Sequence, residues 1–316
     1  MNIEMTGINM VLKKLLVAGA IVMVSMLVKA EQPIVLDPSY SHDKWVTLPR
    51  DVVKSFRAFT ASMDSKDNDD GYQEGEADGT PEWVAYEIKA YTKSCIPTAK
   101  RPNWAAAPEF VRAGIAPNDN SYQYSRAFRS AHKDWYVRGH LQMKLIAERM
   151  GHDAAANTHT FLNAVPQRSQ FNGGIWLDLE YITTAWADSY GSVWVITGPI
   201  YPDNKAAGYL GEENEFPVAI PDALFKIVVK ESAIIGQPDV LAFIYPQVGP
   251  GYNSKQYDHT RFLTSVDEIE QLTGLDFLTS LNDEVEQKVE ADASRILWPY
   301  DKADIVMACK RNELPE

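Results

Sequence analysis

In the C-terminal half of the chain the apolar positions come in short, almost unbroken runs: SVWVITGPIY (192–201), FPVAIP (216–221), LFKIVVK (224–230) and VLAFIYP (240–246). Each is rich in β-branched and aromatic residues and bounded by Gly, Pro or Asp, which predicts buried strands of a mostly antiparallel sheet. Upstream, WVAYEIKAY (83–91) has the alternation and aromatic content of a further strand, and TFLNAV (160–165) predicts another, ended by Pro166. A different period governs 170–190. There Ile175, Leu179, Ile182 and Trp186 recur at four, three and four residues, the stripe of an amphipathic helix. On the flank of that stripe Asn172, Trp176 and Glu180 step by fours. In SVDEIEQLTGLDFL (265–278), Ser265 caps, Glu268 follows three residues on and Gly274 stops a short helix. Strands mixed with a few helices, without a βαβ rhythm, give an α+β class with a central sheet flanked by helices.

The first thirty residues belong to a different regime. Lys13 and Lys14 precede the apolar run LLVAGAIVMVSMLV, and Val28 and Ala30 supply the small residues that a signal peptidase requires. The run is shorter than a spanning helix needs. The expectation is therefore a signal peptide over 1–30, cleaved after Ala30, and a periplasmic or secreted product with no stable membrane association. An uncleaved anchor is the competing reading. Residues 31–316 show no internal repeat and no second compositional regime, so they predict a single domain. Cys95 and Cys309 are the only cysteines of the chain. In an oxidising compartment they pair most simply as one disulfide, with two buried thiols as the alternative.

Charge changes the picture in one place. The chain carries a formal net charge of −13, which excludes a protein that coats nucleic acid by bulk electrostatics. Yet between Lys93 and Arg149 there are ten basic residues and four acidic ones. A basic island on an acidic protein suits a polyanion, unless its charges scatter over several faces. The acidic, Gly-rich DDGYQEGEADG (69–79) reads as an exposed loop, and its carboxylates miss the alternate positions of a calcium-binding EF-hand.

Near the centre of the island lies YVRGHLQMK (136–144), at the end of a strand; after it come a second strand bearing Asn163 and a helix bearing Asn172 and Glu180. Any one of these pieces is weak. Their order, with VRGH, FLNAVPQRSQFNGGIWLDLE and PEWVAYE, and later VWVITGPIY, VAIPDALFKIV, AFIYPQ and IEQLTGLDF, resembles the DNA/RNA non-specific endonucleases over residues 81–277. That resemblance implies a ββα-metal active site that hydrolyses phosphodiesters in DNA and RNA. It assigns His140 as general base and Asn172 as the direct protein ligand of a hydrated Mg²⁺, for which Mn²⁺ or another small divalent ion can substitute. It assigns Glu180 to orienting the metal's waters, Arg138 and Arg101 to gripping the phosphate, and Asn163 to support of the site.

The residue types suit the chemistry. A neutral imidazole accepts a proton near pH 7, Mg²⁺ keeps most of its waters and needs few protein ligands, and a guanidinium binds phosphate in a fork. No base-reading element stands out, so low sequence selectivity follows. Two positions depart from the family pattern: Val137 stands where Asp is usual, and Thr184 where some relatives carry Arg. An inert nuclease-like module that binds nucleic acid, or a phosphodiesterase for small nucleotides, are the alternatives. His132, His152, His159 and His259 read as structural.

Overall fold

Strands buried on both faces have no solvent side, and this is why the strand runs lack alternation. β1 (Val52–Ser55), β2 (Thr60–Met63), β3 (Pro81–Lys89), β6 (Ser192–Ile200), β9 (Ala223–Lys230), β10 (Asp239–Pro246) and β11 (Leu263–Thr264) form one seven-stranded sheet in the order β1-β2-β3-β6-β9-β10-β11. Every neighbouring pair is antiparallel. The computed structural model describes residues 39–46, 52–63, 79–118, 120–122, 135–202, 206, 208–211, 215–254 and 256–310. All of them belong to one compact unit, Ile34–Glu316. The expected signal peptide, the acidic loop up to residue 78, His132, the basic residues Arg126, Arg129 and Lys133, and the last six residues lie outside the described residues.

The remaining elements are β4 (Tyr136–His140), β5 (Ala164–Arg168), β7 (Gly208–Leu210) and β8 (Val218–Ile220), with helices α1 (Pro108–Ala113), α2 (Lys144–Glu148), α3 (His152–Asn157), α4 (Ser169–Phe171), α5 (Leu177–Tyr190), α6 (Val266–Thr273) and α7 (Asp283–Glu290). On one face of the sheet Tyr86, Val195, Leu224 and Val228 share a core with Leu179, Ile182 and Trp186 of α5. On the other, Ala85, Ile196, Ile227 and Ala242 pack with Val266 and Ile269 of α6 and Val289 of α7. Ser265 caps α6 by accepting from Glu268 N, and Gly274 closes it in the left-handed region. Among the described residues no helix is long and apolar enough to cross a membrane.

Three expectations are corrected. The 216–221 run does not join the main sheet: Val218–Ile220 pairs only with Gly208–Leu210. TFLNAV is not a strand ended by proline. Phe161–Asn163 is a 3-10 turn capped by Thr160, whose hydroxyl accepts from Leu162 N, and the strand begins at Ala164 and runs through Pro166. A two-stranded ribbon tolerates this, because β5 pairs with β4 alone and leaves an edge where a missing N–H costs nothing. Finally, the helix after Gln170 is neither continuous nor one-sided. Asn172–Trp176 is a π-helical turn with Gly174 outside helical geometry, and α5 buries Thr183, Thr184, Ala185 and Ala187 besides its apolar stripe.

The C-terminal segment also bonds to α5. Trp186 Nε1 donates to Trp298 O at 3.1 Å and Tyr190 hydroxyl to Pro299 O at 3.2 Å. Cys95 and Cys309 are joined by a disulfide, and Cys309 N donates to Ile96 O beside it.

Candidate active site

β4 delivers Arg138 and His140, and the chain after His140 is fixed by one buried amide. Asn163 Oδ1 accepts from Gln142 N at 2.8 Å, and its Nδ2 donates to Gln142 O at 3.0 Å and Thr158 O at 2.9 Å. Three bonds from a fully buried side chain hold the turn and therefore the imidazole just before it. Tyr86 hydroxyl adds a longer contact of 3.4 Å to Leu141 O from the main sheet.

Around His140 lie two rings that sequence reasoning did not connect with it. Trp104 packs at 4.7 Å from the His140 ring and 5.2 Å from that of His159, and the two imidazoles are 4.8 Å apart. Arg101 Nε donates to His159 Nε2 at 3.0 Å. A guanidinium only donates, so Nε2 carries no proton and Nδ1 must. Nδ1–H then points to Thr158 Oγ1 at 3.2 Å, whose own proton goes to Ala155 O. Burial and the charges of Arg101 and Lys144 push the His159 pKa down to about 4, so the neutral acceptor persists at neutral pH. His159 is thus an anchor for Arg101.

The segment before Arg101 has its own clamp. Glu148 Oε1 accepts from Ala99 N at 2.8 Å and pairs with Lys144, whose Nζ donates to Ala99 O at 3.0 Å. The guanidinium of Arg138 lies over the Tyr122 ring at 5.8 Å. The basic island divides accordingly. Arg101 and Arg138 flank His140, whereas Arg149 is buried in a two-bond pair with Asp188 and serves the fold.

His140 itself is half-buried, and its Nε2 is enclosed without a hydrogen-bond partner. Burial first, then the charges of His159, Arg101 and Lys144, hold its pKa well below 6.5. The result is a neutral imidazole with a free nitrogen. On the opposite strand Gln167 faces Val137 and lies across Gly139, reaching Asn172. Asn172 Nδ2 donates to Gln167 Oε1 at 2.5 Å, which leaves Asn172 Oδ1 available as a ligand.

Glu180 lies deeper. It is 4% exposed, its Oε1 has no hydrogen-bond partner, and burial raises its pKa to about 7 against the pull of Lys226. Lys226 is wholly buried on β9, its Nζ 4.2 Å from the Trp176 ring centroid, and burial lowers its pKa to about 8. Thr184 satisfies its hydroxyl on Tyr181 O at 2.7 Å within its own helix. His259 bonds Tyr245 and Asp178, the latter in the first turn of α5, and His152 is exposed.

A hydrated divalent ion fits these donors. The residues offer one neutral amide oxygen and one buried carboxylate with an unpartnered oxygen, which suits an ion that keeps its waters. Such a site can bind a phosphate between guanidinium groups and take a proton from water at His140.

The sequence signature of the DNA/RNA non-specific endonuclease family matches residues 64–284. A nuclease of Serratia marcescens is 30% identical over 213 residues, covering 66% of this chain and 72% of that one. The human mitochondrial nuclease EXOG is 31% identical over 139 residues, 41% of this chain, and the match spans 36% of its own length. In fold, the chain is similar to the crystal structure of an EndoG/EndoGI complex, with a TM-score of 0.55, 21% identity, and coverage of 74% of this chain and 89% of that one. The chain belongs to the DNA/RNA non-specific endonuclease family.

Proposed function

We propose that this nuclease is a divalent-metal-dependent endonuclease that hydrolyses phosphodiester bonds in both DNA and RNA, with His140 as general base. The observation that carries the reading is the enclosed, unpartnered Nε2 of His140 beside the Arg101–His159 pair and on the same strand as Arg138. His140 Nε2 takes a proton from a water whose oxygen attacks phosphorus. Arg101 and Arg138 hold the phosphate by donors placed where negative charge grows. Asn172 Oδ1 and, through water, Glu180 would hold Mg²⁺ or Mn²⁺, which when bound stabilises charge on the phosphorane and the leaving oxygen. Asn163 positions His140 and touches no substrate.

Recognition through phosphates alone carries no sequence information, which supports action on both nucleic acids. The leader-like N-terminus and the Cys95–Cys309 disulfide support a periplasmic or secreted location, to be tested by N-terminal sequencing of exported protein. The presence of both base and metal ligand disfavours an inert binding module. The test is incubation of residues 31–316 with supercoiled plasmid and with RNA, in Mg²⁺ and in EDTA, beside His140→Ala. Loss of both substrates only in metal, at a rate lowered at least about 100-fold by the substitution, is expected. A folded wild-type chain that cuts neither substrate with any small divalent ion overturns the reading.

A further inference from the structure

On the face of the sheet opposite α5, the α6 and α7 helices bring five carboxylates together. Asp267, Glu270 and Glu290 offer oxygens all within 4.8 Å of one another, and Asp276, Glu286 and Glu290 do the same. Both triads share Glu290. That side chain is 7% exposed, its Oε1 is enclosed without a hydrogen-bond partner, and one of its oxygens lies within 4.8 Å of those of the other acids in each triad. Glu286 Oε1 is likewise enclosed and unpartnered. Glu270 spends one oxygen on Phe277 N at 2.7 Å, which ties the loop after α6 to the cluster. Among the described residues no lysine or arginine pairs with Glu270, Glu286 or Glu290.

Glu290 is buried, Glu270 and Glu286 are half-buried, and Asp267 and Asp276 are exposed; like charges crowded around a buried carboxylate are costly without a counter-ion. We infer that this cluster is a structural Ca²⁺ site, with Glu290 as the central ligand and Glu270, Glu286, Asp267 and Asp276 around it. The donor chemistry selects the ion. An all-carboxylate set, with neither His nor Cys, is hard and disfavours zinc and copper; many anionic oxygens in a partly dehydrated place suit Ca²⁺ better than Mg²⁺, which gives up water reluctantly. In the metal-free protein burial and the repulsion of neighbouring carboxylates raise the pKa of Glu290 to about 8 and of Glu270 to about 7. Asp267, Glu270 and Asp276 lie within the family match and Glu286 and Glu290 beyond its end at residue 284, and the cluster sits with the core on the face of the sheet opposite α5, apart from the candidate active site. Calcium there clamps α7 and the intervening loop to α6, behind the core that α6 and α7 form with the sheet.

The experiment uses the full mature chain in an Asn172→Ala background, which removes the proposed catalytic ligand, so that its outcome is independent of catalysis. After dialysis against EDTA, equilibrium dialysis with radioactive calcium in excess Mg²⁺ gives the stoichiometry, and thermal melts with and without Ca²⁺ give the coupling. A retained calcium ion and a calcium-dependent rise in Tm are expected. Glu290→Gln should weaken calcium binding at least about tenfold. At about pH 8 in EDTA it should melt no lower than its parent, because it removes a charge the metal-free fold must suppress. Glu286→Gln serves if Glu290→Gln does not fold. Undiminished calcium binding in both variants, or no calcium retention and no rise in Tm in the parent, overturns the site and leaves the carboxylates sharing protons.

Discussion

Gly139 illustrates how little room the site leaves. A Cβ at this position would lie 2.2 Å from Cδ of Gln167, and Gln167 is the partner that turns Asn172. Gly139→Ala must therefore displace Gln167, at a typical overpacking cost of about 1–3 kcal/mol. Because the strain falls on the partner of the proposed metal ligand, the variant should fold but need more Mg²⁺ for half-maximal cleavage; an unchanged Mg²⁺ titration would show that Gln167 does not orient Asn172. His140 carries a second expectation. Its base form is lost only when pH falls below its folded pKa, which burial and nearby cations place well below 6.5. The acid limb of log kcat/KM attributable to His140 should therefore lie below pH 6.5, with no break at the ordinary histidine value. His140 could be picked out from sequence because its neighbours in the RGH tripeptide carried the resemblance. His159 could not: its contact with Arg101 spans 58 residues, and a lone histidine in an apolar stretch has no local signature.

At the scale of elements, a helix and a strand are linked by two buried charges that act on one another electrostatically without a hydrogen bond, Glu180 on α5 and Lys226 on β9. The Lys226 ammonium lowers the carboxyl's pKa against its burial. Lys226→Met should raise the Glu180 pKa above about 7, so that the carboxylate proposed to order the metal's waters is protonated at neutral pH. The acid limb belonging to Glu180 in kcat should then move to higher pH, whereas a purely structural lysine would alter Tm and leave that limb in place. A clue was present in LFKIVVK, where a charge interrupts an apolar strand, but the strand period alone does not say which helix it faces. The main strands were legible because burial on both faces leaves nearly continuous apolar runs. The π-helical turn at Asn172–Trp176 was not, since a single extra residue in a helix changes no composition and Gly173 and Gly174 fit either a loop or a helix start. Likewise Pro166 reads as a strand end until β5 is seen to have a free edge.

Across the whole molecule, the tail beyond Phe277 ties remote parts of the site together. Trp298 and Pro299 accept bonds from α5, Lys302 pairs with Asp178 at 3.2 Å, and the chain then reaches Ile96, where backbone bonds and the disulfide hold it to the segment that leads to Arg101. Sequence could pair the two cysteines, yet could not place this strap, because its apolar residues are sparse and their partners lie on α5 more than 100 residues earlier. The bond closes a separation of 214 residues, so removing it enlarges the unfolded ensemble considerably. The double variant Cys95→Ser, Cys309→Ser should lose about 2–5 kcal/mol of stability, read as a lower midpoint in urea. Its kinetic signature separates global from local effects. Ile96 N still bonds Met307 O, and the Lys144–Glu148 clamp still holds Ala99, so Arg101 loosens without leaving the site. Below the unfolding transition KM for nucleic acid should rise while kcat changes little, because phosphate grip weakens and His140, held by Asn163, is untouched. Equal loss in kcat and kcat/KM would instead mean that the strap positions the base through α5.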